Sequence, residues 1–170
     1  ALGTLLLAAA LPAQAADVTQ DRLNNADKEP QNWLLPHQNY EAHSFSALAQ
    51  IHRDNVKNLK VAFTVGLGSA IKGSTLVNLE NRPVVDDGYM YLTDGWGQVF
   101  KIDMRSGDRG KLVWKADAAV SKDNLNRDRG GVLGGNAYYQ ALTDGRVVAV
   151  DRDTGQFIFD KQREIGRAHV

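Results

Sequence analysis

The feature that most constrains this chain is a repeat in its second half. Asp103 and Asp151 open similar segments at an offset of 48 positions. The same offset pairs four further residues of the first copy with the second: Tyr91 with Tyr139, Gly97 with Gly145, Val99 with Val147, and Gly107 with Gly155. Self-similarity at about 40 to 50 residues is typical of propeller blades, each made of four short antiparallel strands. The repeat therefore predicts an all-β fold built from blades.

Each copy consists of short β-rich runs separated by turn signals. In the first copy we predict strands at 82–85, 89–93 and 98–103, with Asp-Gly turns at 86–88 and 94–97. Both copies then continue as a turn and a last strand. In that turn an Asp caps backbone amides and a Gly takes positive φ. The aromatic residue near the end of the last strand is predicted to dock against a neighbouring blade.

Composition narrows the class of protein. The 170 residues carry 20 Lys+Arg and 20 Asp+Glu, a formal net charge of zero, which argues against a nucleic-acid-binding module. Hydrophobic residues make up 43% and charged residues 24%, as in ordinary globular domains. The absence of cysteine excludes from this chain a disulfide scaffold, thiolate zinc sites, iron–sulfur clusters and covalent haem attachment.

The first 15 residues are typical of a secretory signal peptide. An apolar run at 1–11 precedes Pro12 and the small-x-small pattern of residues 13–15. The run is shorter than the roughly 20 apolar residues that span a bilayer, so we expect no transmembrane span. It lacks an initiator Met and a basic region, which indicates that the sequence begins inside the signal. We expect a mature periplasmic protein starting near Ala16, with a buried amino-terminal helix as the alternative.

Residues 164–170 have a different character from the rest of the chain. They contain no turn, cap or periodicity that would form an element. The heptapeptide also matches one reading frame of a common sequencing adapter. We therefore predict a non-native tail at 164–170, and His169 within it is expected to have no function.

The end of the second copy carries a resemblance to a known family. Residues 149–159 read A-V-D-R-D-T-G-Q-F-I-F. They resemble the A-x-D-x-x-T-G-K-x-x-W docking motif of the quinoprotein alcohol dehydrogenases, with Phe159 in place of Trp. The first copy reaches Trp114 after a short insertion, and residues 32–63 are similar to the family's amino-terminal stretch. The resemblance implies the eight-bladed propeller that binds pyrroloquinoline quinone (PQQ). Residues 16–163 would be its first blades only, since eight blades at this period need about 400 residues.

The resemblance assigns two residues to the cofactor. A family glutamate that opens an E-x-T-P-like motif hydrogen-bonds the quinone, and residues 80–83 read E-N-R-P, which implies this role for Glu80. Arg82 stands where the motif has Thr. A family N-R-G motif contacts the quinone oxygens through its Arg, and D-R-G at 128–130 implies this role for Arg129. A fixed guanidinium can polarise a reacting carbonyl.

Alternatives to both assignments stay open at this point. A Glu before a strand is usually a solvated loop residue. Arg129 could instead form a surface salt bridge with Asp128 or another neighbouring carboxylate. Arg127 is a competitor for the same role, shifted by two positions.

Other positions depart from the family or carry little signal. Asp123-Asn124 occupy the place of two adjacent family cysteines that lie against the cofactor, so either another wall replaces them or quinone binding is lost. His37, His43 and His52 lack the spacing of a metal motif. Trp96 is predicted to pack at a hairpin tip or between blades, and Gly130-Gly131 are predicted turn glycines.

The resemblance implies a periplasmic oxidoreductase acting on an alcohol or related hydroxyl compound, with hydride transfer to PQQ. It implies a calcium or lanthanide ion, and electron transfer to cytochrome c or another periplasmic acceptor. The metal ligands, the catalytic Asp and a stacking Trp would follow Gln162, so we expect no activity from this segment alone. The alternative is a non-catalytic PQQ-like propeller that binds proteins as a periplasmic scaffold, because blade motifs encode packing rather than chemistry.

Overall fold

A computed structural model describes residues 16–68, 78–121 and 127–162. The predicted signal peptide at 1–15 and the predicted tail at 164–170 lie outside the described residues. Within the described ranges, none of the helices has the length and apolar character needed to cross a membrane.

Strands dominate the described part of the chain. In chain order they are β1 (Asn78–Leu79), β2 (Val84–Asp86), β3 (Tyr89–Thr93), β4 (Val99–Asp103), β5 (Lys111–Ala116), β6 (Arg127–Asp128), β7 (Val132–Gly134), β8 (Ala137–Ala141), β9 (Arg146–Asp151) and β10 (Phe157–Gln162). Strands β2-β3-β4-β5 form one four-stranded antiparallel sheet, and β7-β8-β9-β10 form another. We call them the first blade and the second blade. The short strands β1 and β6, which precede the two blades, pair in parallel.

The two blades share one register. Lys101 lies opposite Trp114 in the first blade, and Ala149, 48 positions after Lys101, lies opposite Phe159 in the second. Each ladder has a β-bulge next to this pair. The predicted equivalence of the two aromatic residues is therefore confirmed.

Turn residues explain why the strands stop where they do. Asp87 and Gly88 both have positive φ, 51° and 74°, as in a two-residue hairpin turn. Because the turn occupies only these two residues, β2 ends at Asp86, one residue beyond its predicted end. Gly107 and Gly155 have φ of 76° and 74° at equivalent positions of the two turns that lead into the last strands. The predicted positive φ at these glycines is confirmed.

The blades pack face to face through aromatic side chains. The Tyr91 ring lies 6.2 Å from Tyr138 at an interplanar angle of 18° and 6.1 Å from Trp114. The Trp114 indole N–H donates to the carbonyl of Arg152 at 3.0 Å, and its ring lies directly over Gly155. The predicted docking of the first blade's terminal aromatic on the next blade is confirmed for Trp114.

A buried ion pair reinforces the same interface. Arg152 is fully buried and donates to the Asp86 carboxylate of the first blade. Arg22, from the amino-terminal segment, donates to Asp86 at 2.7 Å and to Glu29 at 2.6 Å. The hydrogen bond from Arg22 lowers the pKa of Glu29. These ion pairs connect the amino-terminal segment, the first blade and the second blade.

The amino-terminal segment begins with a helix that the sequence analysis did not predict. Helix α1 (Gln20–Asn24) starts after Thr19, whose hydroxyl accepts from the Arg22 backbone N–H at 3.3 Å, as an N-cap does. Short 3₁₀ turns follow at Ala26–Lys28 and Val56–Asn58. Val18, Leu23 and Leu34 share a core with residues of both blades, including Val84 and Val150.

The later part of this segment is less buried. Trp33 exchanges two 2.8 Å backbone hydrogen bonds with Val85 at the edge of the first blade. From residue 41 to residue 68 the chain is irregular apart from one 3₁₀ turn. Several large apolar side chains here or just before are exposed: Tyr40, Phe45, Leu48, Ile51, Val56, Leu59 and Val61.

Candidate functional site

The pairing of β1 with β6 creates the candidate site. Leu79 lies beside Asp128 in parallel register, so the residues that follow each strand leave the pair at the same end. These residues are Glu80 and Arg129, the two predicted cofactor ligands. Arg129 Nε lies 3.6 Å from Glu80 Oε2, although the residues are far apart in sequence.

Two glycines allow the chain to come this close. Gly130 has φ of +86°, and a Cβ there would lie 3.3 Å from Asn81 Cβ and 3.4 Å from the Arg82 backbone. A Cβ at Gly131 would lie 2.1 Å from the carbonyl oxygen of Tyr139. The pair predicted as turn glycines therefore also permits close backbone approach, which no larger residue would allow.

Asp128 has a structural role beside the site. Its carboxylate accepts from the Thr93 hydroxyl, from the Gly130 N–H at 2.8 Å and from the Gln140 amide at 2.5 Å. Burial raises the pKa of Asp128, and these hydrogen bonds only partly offset that effect. The alternative for Arg129, a surface salt bridge with Asp128 or another neighbouring carboxylate, is present in its second form, because the Asp128 carboxylate faces this buried network. Another carboxylate, that of Glu80, is the partner of Arg129.

The site is an open cavity of about 420 Å³. Its lining comprises Pro36, His37, Glu80, Arg82 and Arg129. The Arg129 side chain is 80% exposed and the Glu80 side chain 38%, so both can meet a ligand. Arg82 lies against His37, with Nη1 2.8 Å from Nε2 of the ring.

The charged side chains of the lining determine which kind of ligand the cavity can bind. Two guanidinium groups and one carboxylate give the lining an excess of positive charge. Guanidinium forks bind carboxylate and other anionic oxygens through paired hydrogen bonds. This lining can therefore bind an anionic ligand, with Glu80 available as an acceptor beside Arg129.

Other residues singled out in the sequence lie elsewhere. Trp96 is buried in the turn between β3 and β4, in agreement with a packing role. His43 lies 3.0 Å from Asn39, and His52 lies 4.0 Å from Asp54, so these two histidines have separate local partners.

Three further predicted positions fall outside what the structure describes. Asp123 and Asn124, at the place of the family's cysteine pair, lie outside the described residues. So does the side chain of Arg127, the competitor of Arg129.

His37 lines the cavity although its sequence context does not predict this. No motif in residues 31–40 indicates a site, and His37 reaches the cavity on a segment that pairs with the first blade through Trp33 and Val85. Arg82 was visible as a departure from the E-x-T-P-like motif, but its orientation toward the cavity was not predictable.

Comparison with known proteins identifies relatives over most of the chain. The family model described as PQQ glucose/ethanol/alcohol dehydrogenase, β-propeller domain, matches residues 33–162. Quinohemoprotein alcohol dehydrogenase ADH-IIG of Pseudomonas putida is 33% identical over 166 residues, covering 92% of this chain and 22% of the relative. The dehydrogenase subunit of the quinone alcohol dehydrogenase of Komagataeibacter europaeus is 31% identical, covering 92% of this chain and 21% of its own length.

Solved structures agree with this assignment. The quinohemoprotein alcohol dehydrogenase ADHIIG of Pseudomonas putida HK5 superposes with a TM-score of 0.76 at 30% identity, covering 87% of this chain and 21% of that structure. The quinohemoprotein alcohol dehydrogenase of Comamonas testosteroni gives 0.73 at 28% identity, covering 88% and 22%. These matches confirm the predicted all-β architecture of propeller blades. This chain spans about a fifth of the length of the relatives it matches.

Proposed function

Because the chain belongs to the PQQ β-propeller family of glucose, ethanol and alcohol dehydrogenases, we propose that it forms the amino-terminal blades of a periplasmic PQQ-dependent dehydrogenase. Its substrate is an alcohol or a related hydroxyl compound. The observation that carries this proposal is the meeting of Glu80 and Arg129 in one cavity. The family resemblance assigned both residues to the cofactor independently of their position in space.

The residues of this chain have a binding and polarising role in the proposed reaction. PQQ, when bound, supplies an ortho-quinone that accepts a hydride from the alcohol carbon. Arg129 holds anionic oxygen atoms at the cavity and stabilises negative charge that develops on them, since a guanidinium cannot lose its proton at any working pH. Glu80 hydrogen-bonds to the same ligand and keeps Arg129 oriented across a distance of 3.6 Å.

Components beyond this chain complete the proposal. The resemblance puts the metal ligands and the catalytic aspartate after Gln162, so a calcium or lanthanide ion would be held by later blades. Electrons would leave to cytochrome c or another periplasmic acceptor. The signal-like residues 1–15 support export to the periplasm.

The test is Arg129→Ala in the full-length protein. We expect turnover with an alcohol and an artificial electron acceptor to fall by about a hundredfold or more, because a preorganised charge at the reacting quinone is lost. PQQ affinity, measured by fluorescence titration, should fall as well. The matched control is Arg109→Ala, which removes an arginine that is 82% exposed and also pairs with a neighbouring carboxylate. Unchanged turnover and affinity in Arg129→Ala would overturn the assignment.

A second candidate function is a non-catalytic propeller that binds proteins in the periplasm. The absence of cysteine from the whole sequence favours it, because the family's cysteine pair lies against the cofactor. A full-length protein that shows neither quinone absorbance after reconstitution nor alcohol-dependent dye reduction would support the scaffold. Either signal would contradict it.

A further inference from the structure

Arg82 lies at the edge of the cavity and forms no ion pair with a carboxylate of the described residues. In the described part of the chain, no carboxylate oxygen lies within 4.0 Å of its guanidinium. Most other arginines there do have a carboxylate partner: Arg22, Arg105, Arg109, Arg129, Arg146 and Arg152. The contact of Arg82 is instead with the His37 ring, which supplies no formal negative charge when neutral.

The backbone that carries Arg82 is held on several sides. The Asn81 side-chain amide donates to the carbonyl of Thr93, and Gly130 lies close against the backbone N and O of Arg82. Pro83 restricts Arg82 to extended conformations. The guanidinium therefore starts from a defined point beside Glu80 and Arg129, and only its side chain is free to adjust.

We infer that Arg82 binds a carboxylate group of the quinone cofactor, in addition to the contacts of Glu80 and Arg129. This inference rests on the proposed function and deepens it by adding a specificity-determining residue. A guanidinium that forms no ion pair among the described residues, at a cavity that already holds one arginine, favours a ligand with several negative charges. PQQ carries three carboxyl groups, and a guanidinium fork matches the geometry of a carboxylate.

The role is particular to this chain. The family motif has a neutral Thr where Arg82 stands, so a neutral hydrogen-bonding group is replaced here by a formal charge. A charged contact at an open cavity is screened by salt. Cofactor affinity is therefore expected to fall more steeply with ionic strength in the wild type than in an Arg82 variant.

The experiment uses the full-length apoprotein and measures equilibrium binding of PQQ by fluorescence titration. The variants are Arg82→Ala and Arg82→Lys, with Arg53→Ala as the matched control. Arg53 is exposed, lies outside the lining of the cavity and has no carboxylate within 4.0 Å in the ranges described. Each protein is also titrated with the trimethyl ester of PQQ, which keeps the quinone but lacks the carboxylate charges. Thermal unfolding of each variant checks that the fold is intact.

The expected result is a loss of PQQ affinity of about tenfold to a hundredfold in Arg82→Ala, because a charge-assisted hydrogen bond is lost. Arg82→Lys should keep part of the affinity, and Arg53→Ala should match the wild type. The ester should bind wild type and Arg82→Ala about equally.

Three outcomes would overturn the inference in different ways. Wild-type protein that binds neither PQQ nor its ester would refute the proposed function and the inference with it. Wild-type binding that Arg82→Ala leaves unchanged would refute the role of Arg82 alone. An equal loss for PQQ and the ester would show that Arg82 contacts the quinone ring system rather than a carboxylate.

Discussion

Tyr91 and Tyr139 occupy the same position in the two blades but have opposite surroundings. Both lie in the second strand of their sheet, 48 positions apart, opposite Lys101 and Ala149 respectively. Tyr91 is 0% exposed, whereas Tyr139 is 37% exposed. The difference does not come from the strands themselves, whose registers agree.

The reversal follows from how blades stack. Successive side chains of a strand point to opposite faces of the sheet. The first blade turns the face of Tyr91 toward the second blade, and the second blade presents its other face, with Tyr138, to the first. The face that carries Tyr139 and Phe159 points away from the first blade. In a longer protein of this family, we expect that face to pack against a third blade.

Replacing each tyrosine with alanine tests this expectation. Of the predictions made here, it is expected to change the free energy of unfolding the most. In the full-length protein, Tyr91→Ala should lower the free energy of unfolding by about 3 to 5 kcal/mol, as for other large buried aromatic residues. Tyr139→Ala should approach the same loss once a third blade covers it. Chemical denaturation measures both, with Tyr40→Ala, at a residue 58% exposed, as the nearly neutral control. A Tyr139→Ala variant as stable as Tyr40→Ala would mean that the face stays uncovered.

The equivalent glycines Gly107 and Gly155 sharpen the comparison. Both have positive φ, but a Cβ at Gly155 would lie 2.8 Å from the Trp114 ring, whereas nothing lies within 4 Å at Gly107. Gly107→Ala should cost about 1 kcal/mol of stability from backbone strain alone. Gly155→Ala should cost about 2 to 4 kcal/mol, because Trp114 must also shift. Equal losses in thermal or chemical unfolding would show that Trp114 does not dock as described.

The two repeat aspartates give the smallest effect. Hydrogen bonds from Arg105 lower the pKa of Asp103 to about 2, and the Thr154 backbone N–H and hydroxyl lower the pKa of Asp151. Since both folded-state pKa values lie below the unfolded value of about 4, the stabilisation is present above that pH and is lost as the pH falls. Asp103→Asn and Asp151→Asn should each flatten the loss of stability on acidification.

The stabilising effects of the two aspartates should differ in their sensitivity to salt. The Asp103–Arg105 pair is at the surface, so about 1 M salt should remove most of the difference between Asp103→Asn and wild type. Most of the difference for Asp151→Asn should persist, because its hydrogen-bond donors are neutral groups, chiefly those of Thr154, and the charge of Lys101 contributes least. Chemical denaturation between pH 2 and pH 7 at two salt concentrations would measure both effects. Equal salt sensitivity would contradict the assignment of partners.

The features that could be predicted from the sequence are those that local chemistry determines. The Asp-Gly turns, the positive φ of Gly107 and Gly155, and the equivalence of Trp114 and Phe159 depend on residues close together in the chain. The meeting of Glu80 with Arg129 was implied only through the resemblance to a family. Its physical cause, the parallel pairing of β1 and β6, involves two-residue strands too short to give a sequence pattern.

The rest of the site depends on contacts between distant segments. The approach of His37 to Arg82 joins segments 45 positions apart, which also meet at the backbone pairing of Trp33 with Val85. The buried role of Asp128 requires Thr93 from the first blade and Gln140 from the second. The opposite exposure of Tyr91 and Tyr139 requires knowledge of which face meets a neighbour. None of these contacts can be predicted from the alternation of polar and apolar residues within a single strand.

The hydrogen bond from Arg152 to the carbonyl of Ala16 joins residues 136 positions apart, and this sets an order of events during synthesis. Ribosomes add about 5 to 20 residues per second, so the amino-terminal segment waits on the order of 10 s for this partner to be made. Val18 has a slightly shorter delay, because its backbone partner is Gly135. Through that interval the apolar side chains of the amino-terminal segment, such as Val18 and Leu23, lack their core partners from the second blade and remain available to chaperones.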